Sequence, residues 1–249
     1  MRKKESLFSL LIVFAGLMLS HTNMFGQGVV GGAQASGMDM NTGPYGTIKS
    51  FGFPEKVTTG SKYLYKTWKV GTLEVDAGVV KEYGMNIDLQ NGYLEINTDV
   101  GVRTVPMKAV KTLTMGLANT RDLQTFVATQ KYGGTQVGAA GLFEILVQND
   151  TETTLLKYYF LEVKTGSYNA ALDMGNNETK YVVKNRYFLS KNGKLVEVSP
   201  NKKKFLESFS GENRAQVEAF LKESNVKLKD QEDIVAVCKF LNDRDISLN

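Results

Sequence analysis

Apolar and polar residues alternate most cleanly between Tyr83 and Thr98. Met85, Ile87 and Leu89, then Leu94 and Ile96, are separated by Asn86, Asp88, Gln90 and Glu95. A period of two means a half-buried strand, and two such runs joined by Asn91-Gly92 mean a hairpin. A two-residue type I′ turn needs positive φ at both central positions, which Asn and Gly tolerate best. That turn predicts a register with Leu89 facing Leu94, Ile87 facing Ile96 and Asp88 facing Glu95. Met85 then opposes Thr98, and Tyr83 opposes Val100.

The same reading extends along the chain. Residues 68–75 predict a strand, 76–78 its turn, and 102–105 a further strand stopped by Pro106. Residues 107–111 predict a short helical turn, 112–115 a strand, and 123–129 a weaker one. Residues 142–147 and 154–163 flank Asn149-Asp150 and are almost continuously apolar, which predicts burial on both faces. Asn192-Gly193 sets another hairpin, pairing Leu189 with Val196 and Tyr187 with Val198. The period then lengthens. Ser199 as N-cap and Pro200 at the first helical position predict a short helix through Phe209. Residues 212–224 predict a second helix, with Val217, Phe220 and Leu221 on one stripe and Asn225 at its end. Asp230 caps a third, where Ile234, Val237, Cys238 and Leu241 recur at helical spacing. The expected fold class is α+β: a mainly antiparallel, hairpin-rich β-sheet followed by a small C-terminal three-helix segment. The expected organisation is a signal peptide over 1–26, a flexible Gly-rich arm over 27–60, a β domain over 61–198, and a helical segment over 199–249 packed on it.

Composition narrows the chemistry. Setting aside Arg2, Lys3, Lys4 and Glu5, 27 basic and 25 acidic residues remain, a net charge of +2. That is too small for a nucleic-acid binder. Arg2-Lys3-Lys4 followed by an apolar run over 7–19 and polar Ser20-His21-Thr22-Asn23 reads as an export signal, too short for a comfortable membrane span. Its cleavage is expected between Thr22 and Gly28, leaving no transmembrane helix. Cys238 is the only cysteine, so no internal disulfide forms despite export. His21 is the only histidine and departs with the leader. Without imidazole, Ser-His-Asp and Cys-His nucleophiles and the usual zinc, copper and non-haem iron sites are not expected. No cofactor is expected.

Several residues nevertheless attract a chemical reading. Met38 and Met40 present two thioethers, fewer than a Cu(I) site normally uses. Trp68, the only tryptophan, suits either a ligand platform or, as expected here, a large anchor at the sheet edge. Asp173, Asn176, Asn177 and Glu178 offer oxygen ligands without the spacing of a Ca²⁺ loop, so a solvated turn is expected. Asp88 and Glu95, as cross-strand neighbours, would repel unless one protonates or a cation bridges them, the one carboxylate pair that a hydrolase without histidine could use. Ser199 and Lys202 have the spacing of a Ser-x-x-Lys nucleophile but lack its companion motifs. Lys202, Lys203 and Lys204 fall in the first turn of the short helix, where the dipole disfavours cations and invites an anion such as a lipid headgroup. They are the weak anion-contact candidates. Cys238 lies on a core stripe and is expected to be inert.

One resemblance joins these segments. Gly60-Ser-Lys-Tyr-Leu64 with Trp68 and Gly71, the Tyr83-x-Met-Asn86 strand, Leu142-Phe-Glu-Ile-Leu-Val147, and Tyr187-Phe-Leu-x-Lys-x-Gly-Lys194 before a lysine-rich helix and two terminal helices resemble a widespread group of exported β-rich proteins of Bacteroidota. It covers residues 60–245. The resemblance implies export and shape; that group has no established activity, so no site residue is carried across. The functional expectation is therefore an exported, non-enzymatic envelope or secreted module in the periplasm, at the outer-membrane periphery or outside the cell. It would bind an unknown protein or envelope component through sheet edges, loops or the arm. A carboxylate hydrolase and a membrane-surface protein are the alternatives.

Overall fold

The computed structural model describes residues 57–116, 123–134, 137, 141–148, 152–169, 172 and 174–249. The leader, Met38 and Met40, the Asn149-Asp150 turn and Asp173 lie outside them. Thirteen strands are described. They are β1 (Val57–Thr59), β2 (Lys69–Val75), β3 (Gly78–Asp88), β4 (Tyr93–Thr98), β5 (Gly101–Pro106), β6 (Val110–Gly116), β7 (Gln124–Ala128), β8 (Leu142–Val147), β9 (Thr154–Thr165), β10 (Tyr168–Asn169), β11 (Met174–Gly175), β12 (Glu178–Lys191) and β13 (Lys194–Glu197). Helices α1 (Lys202–Leu206), α2 (Gly211–Glu223) and α3 (Gln231–Asp243) follow. The main sheet runs β1-β12-β9-β8-β7-β6-β2-β3-β4-β5, with β13 on β12. The α+β architecture expected from the pattern is the one observed. Val57–Thr59, placed in the arm by the sequence reading, is instead an edge strand parallel to β12.

The two Asn-Gly hairpins differ. At the second, Asn192 and Gly193 both have positive φ, 52° and 76°, and Leu189 faces Val196 as expected. At the first, only Gly92 is left-handed, with φ 72°. Ile87 there faces Leu94, Met85 faces Ile96, and Asp88 faces Tyr93 rather than Glu95. The cause sits three residues before the asparagine. Asp88 Oδ1 accepts the Gln90 and Asn91 amides, each at 3.0 Å, and the Gly92 amide donates to Asp88 O at 3.0 Å. A side-chain turn of this kind closes a four-residue loop. Leu189 holds the equivalent place in the other hairpin and has nothing to accept with. Because each pairing moves by two residues, Met85, Ile87, Leu94 and Ile96 keep a common face, and all four are buried.

Three clusters fill the interior. Leu73, Met85, Leu94, Leu113 and Phe126 lie under the β2–β6 half of the sheet. Phe143, Leu156 and Phe188 form a small second cluster. In the third, Leu155 and Leu189 pack against Phe205, Val217, Leu221, Ile234, Val237, Cys238 and Leu241, so the helices share a core with β9 and β12. Burial on both faces holds only for the start of β8 and β9: Leu142, Phe143 and Glu144, and Thr154, Leu155 and Leu156. Farther along, both strands are half-exposed; the strands are antiparallel, so the two buried starts lie at opposite ends of the ribbon, Phe143 facing Tyr158 and Leu155 facing Val147.

One helix cap was misplaced by sequence. Asn201, not Ser199, caps α1, accepting from the Lys203 and Lys204 amides. Asp230 does stand at the N-cap of α3 but makes no side-chain cap bond. The carboxylate used there is Asp233, which accepts the Lys227 amide at 2.7 Å. Beside the solvated turn expected at Asn176 and Asn177, Tyr168–Asn169 and Met174–Gly175 pair as β10 and β11.

Candidate binding surface

The carboxylates singled out by spacing are not a reactive pair. Glu95 faces Asn86, while Asp88 is buried and takes Lys62 Nζ at 2.6 Å and Asn91 Nδ2 at 2.7 Å on Oδ2. Burial pushes the Asp88 carboxyl up, but Lys62 and the Asn91 donors outweigh it and hold it below its ordinary value. Three of its four side-chain bonds serve the turn and the fourth holds Lys62. Ser199 and Lys202 are also apart in role: Ser199 Oγ accepts the Asn201 amide, and Lys202 Nζ donates to Leu221 O at 3.4 Å.

Lys202, Lys203 and Lys204 are exposed in the first turn of α1, as placed by sequence. The amides that an anion would need are occupied, since Asn201 Oδ1 accepts two of them at 3.0 and 3.3 Å. In the 166–178 segment, Asn176 Oδ1 accepts the Glu178 amide and Glu178 accepts Thr59 Oγ1. Among the described residues no cluster of His, Cys, Asp and Glu could hold a metal ion.

One polar network escaped the sequence reading. Tyr65 Oη donates to Gln124 Oε1 at 2.6 Å, Gln124 Nε2 donates to Glu144 Oε1 at 2.8 Å, and Tyr159 Oη donates to Glu144 Oε2 at 2.7 Å. Burial, and then the Glu144 charge, raise both phenols above their ordinary range, so they stay neutral donors. Lys157, across the ladder from Glu144, is lowered by burial and donates to Gln231 Oε1 at 2.8 Å. The network ties the 60–66 segment, β7, β8, β9 and α3 together. Its signal in sequence was there: Glu144 and Lys157 interrupt otherwise apolar strands. The nearby interior cavity, lined by Leu64, Ile87, Met107, Phe126 and Tyr159 among others, is about 50 Å³, room for a water or two and no substrate.

The outward face of β2–β5 is different in kind. Cross-strand pairing places Gly116, Val70, Gly84, Asn97 and Val102 in one row. Trp68 lies over Gly84: a Cβ on that glycine would stand 3.3 Å from Trp68 Cβ and 3.8 Å from Asn97 Cβ. Expected as a sheet-edge anchor, Trp68 is instead 40% exposed, just ahead of a strand that lies between β6 and β3. Val70, Val79, Tyr93, Val100 and Val102 are also exposed, and the last two reach 78% and 53%. Scattered exposed valines need no explanation, but Val70 and Val102 share that row beside an exposed indole and an open strand, which makes this face the candidate surface.

No protein-family model, curated protein or solved structure matches the chain. No helix among the described residues is long and apolar enough to cross a membrane.

Proposed function

We propose that the chain is an exported, non-enzymatic module that binds a partner protein or envelope component through the outward face and free edge of β2–β5. Export rests on the basic and apolar leader. Binding rests on one observation, the outward row Val70, Gly84, Asn97 and Val102 with the exposed Trp68 lying over Gly84. An unpartnered face of this kind loses the favourable transfer of apolar surface, which a partner restores at roughly 25 cal/mol per Å² buried.

The test is site-specific photocrosslinking in the producing cell. A photoreactive residue at Val70 should give a discrete adduct, while one at exposed Glu218 on α2 should not. Absence of the Val70 adduct, or equal labelling at both sites, counts against the surface. The N-terminus of the same protein, read by mass spectrometry, should fall between Thr22 and Gly28; an intact Met1 on exported protein would end the export half of the proposal.

A further inference from the structure

We infer that β5 takes up an extended, antiparallel strand from the partner, with an acidic residue facing Arg103 and β-branched residues facing Val102 and Thr104. This deepens the proposal above and rests on it. β5 is the last strand of the main sheet, and every residue in it except Val105 is exposed. Its free hydrogen-bonding groups follow from the ladder. The Met107 amide donates to Gly92 O at 3.0 Å, one step beyond the Tyr93–Pro106 pair. In an antiparallel ladder, alternate residues point their amides at the neighbour. Val105, Arg103 and Gly101 therefore bond to β4, and the N–H and C=O groups of Val102 and Thr104 point away from it. The same alternation accounts for β3, where Ile87 O accepts the Leu64 amide on the side opposite β4.

Edge strands are normally guarded by charge, proline, bulges or a covering element. Here Pro106 ends the strand instead of interrupting it, and among the described residues nothing pairs with its outer side. The one charge is Arg103, exposed and without an ion-pair partner among the described residues. An incoming carboxylate directly opposite would complete it, and Val102 and Thr104 on the other face favour β-branched neighbours. Main-chain bonds give such pairing its affinity, and alternate side chains give its specificity.

The probe is a fluorescent hexapeptide, Thr-Ile-Thr-Glu-Val-Thr, titrated with the purified chain at low salt by anisotropy. Binding should saturate, and the peptide with Lys for Glu should bind about five-fold more weakly, the scale of one cross-strand charge pair and its reversal. Arg103→Glu should invert that preference without touching the backbone. Thr104→Pro removes an outward amide only, so it should abolish binding while leaving the fold's circular dichroism unchanged. No saturable binding, or an Arg103→Glu protein with unchanged preference, overturns strand pairing. Self-association that Thr104→Pro removes would name a second copy as occupant and equally overturn it. If the Val70 adduct persists in cells carrying Thr104→Pro, the surface stands and the strand fails; loss of the adduct even in the parent protein is failure of the surface itself.

Discussion

Replacing Asp88 by Asn exchanges one carboxylate oxygen for an NH₂ group and tests the first hairpin's closure. Asn can still offer Oδ1 to the Gln90 and Asn91 amides, so the loop keeps two of its bonds. What it loses is on Oδ2, where an NH₂ now meets two donors, Lys62 Nζ and Asn91 Nδ2, formerly at 2.6 and 2.7 Å. Hydrogen bonds to a charged group contribute about 1.5–3 kcal/mol, and breaking a buried pair costs about 3–5 kcal/mol. The Lys62 side chain is 31% exposed and can rehydrate, while that of Asp88 is 2% exposed and cannot. A loss of about 2–4 kcal/mol follows, below the buried-pair limit. Had Asp88 faced Glu95, as spacing suggested, the same change would relieve repulsion and stabilise. Urea unfolding at pH 7 separates the two: the midpoint should fall with the slope unchanged. The pH dependence adds a second check. A carboxyl held below its unfolded value contributes fully above about pH 4, near the ordinary Asp value, and loses that contribution as pH drops through the folded value. The gap between parent and variant should therefore close in acid. A variant as stable as the parent at pH 7 would refute the turn chemistry.

Three further outcomes follow from the same structure. Asn192→Gly should be neutral within about 0.5 kcal/mol, because Asn192 already sits at positive φ, whereas Asn91→Gly should cost about 1–2 kcal/mol through the lost bond to Asp88; equal effects in urea unfolding would contradict the two turn types. Asp245→Asn should lower Tm more than Lys191→Met, since Lys191 is buried and bonds Asp245 Oδ1 at 2.7 Å and Ile246 O at 3.1 Å, so the first change strands a buried ammonium and the second removes it. Asp245 is held below its ordinary value by Lys191, so that difference should fade as pH falls through the Asp245 folded value. Burial pushes the Cys238 thiol up to about 12, with the Glu152 charge adding to it, and Cys238 Sγ donates to Thr153 O at 3.3 Å. A thiol reagent at pH 8 should label Cys238 only as fast as the chain unfolds, and rapid labelling of the native protein would refute that burial.

How much was legible depended on whether the deciding contact was local. Strand faces, the Asn192-Gly193 turn and the α3 stripe through Ile234, Val237, Cys238 and Leu241 involve neighbours in sequence, and all were readable. The first hairpin was readable as a hairpin but not in register, because Asn91-Gly92 competes with an aspartate three residues earlier. Propensity favours a two-residue turn; three bonds within one loop favour four residues, and the bonds win. Asn201 displaced Ser199 for a similar reason, since two candidate caps stood two residues apart and the start of the helix decided between them. The Glu144 network lay beyond reach because Tyr65, Gln124, Glu144 and Tyr159 converge only once four segments have packed. Glu144 could be flagged as a break in an apolar strand, yet its partners could not be named.

The proposed binding surface is a harder case, and for a different reason. A catalytic triad or a metal site announces itself through residue types at fixed spacing, so their absence from the sequence carries information. Strand addition is built from main-chain N–H and C=O groups, which every residue possesses. Gly101–Pro106 reads as an ordinary short strand; what distinguishes it is its place at the end of the sheet, a property of topology and not of any residue. Only the side-chain preference leaves a trace in sequence, in the single charge of Arg103 between Val102 and Thr104. A protein whose contacts are of this type can lack every motif of known chemistry and still be specific. The Arg103→Glu inversion and the Thr104→Pro loss are the experiments matched to that kind of site, because one addresses the side chain and the other the backbone.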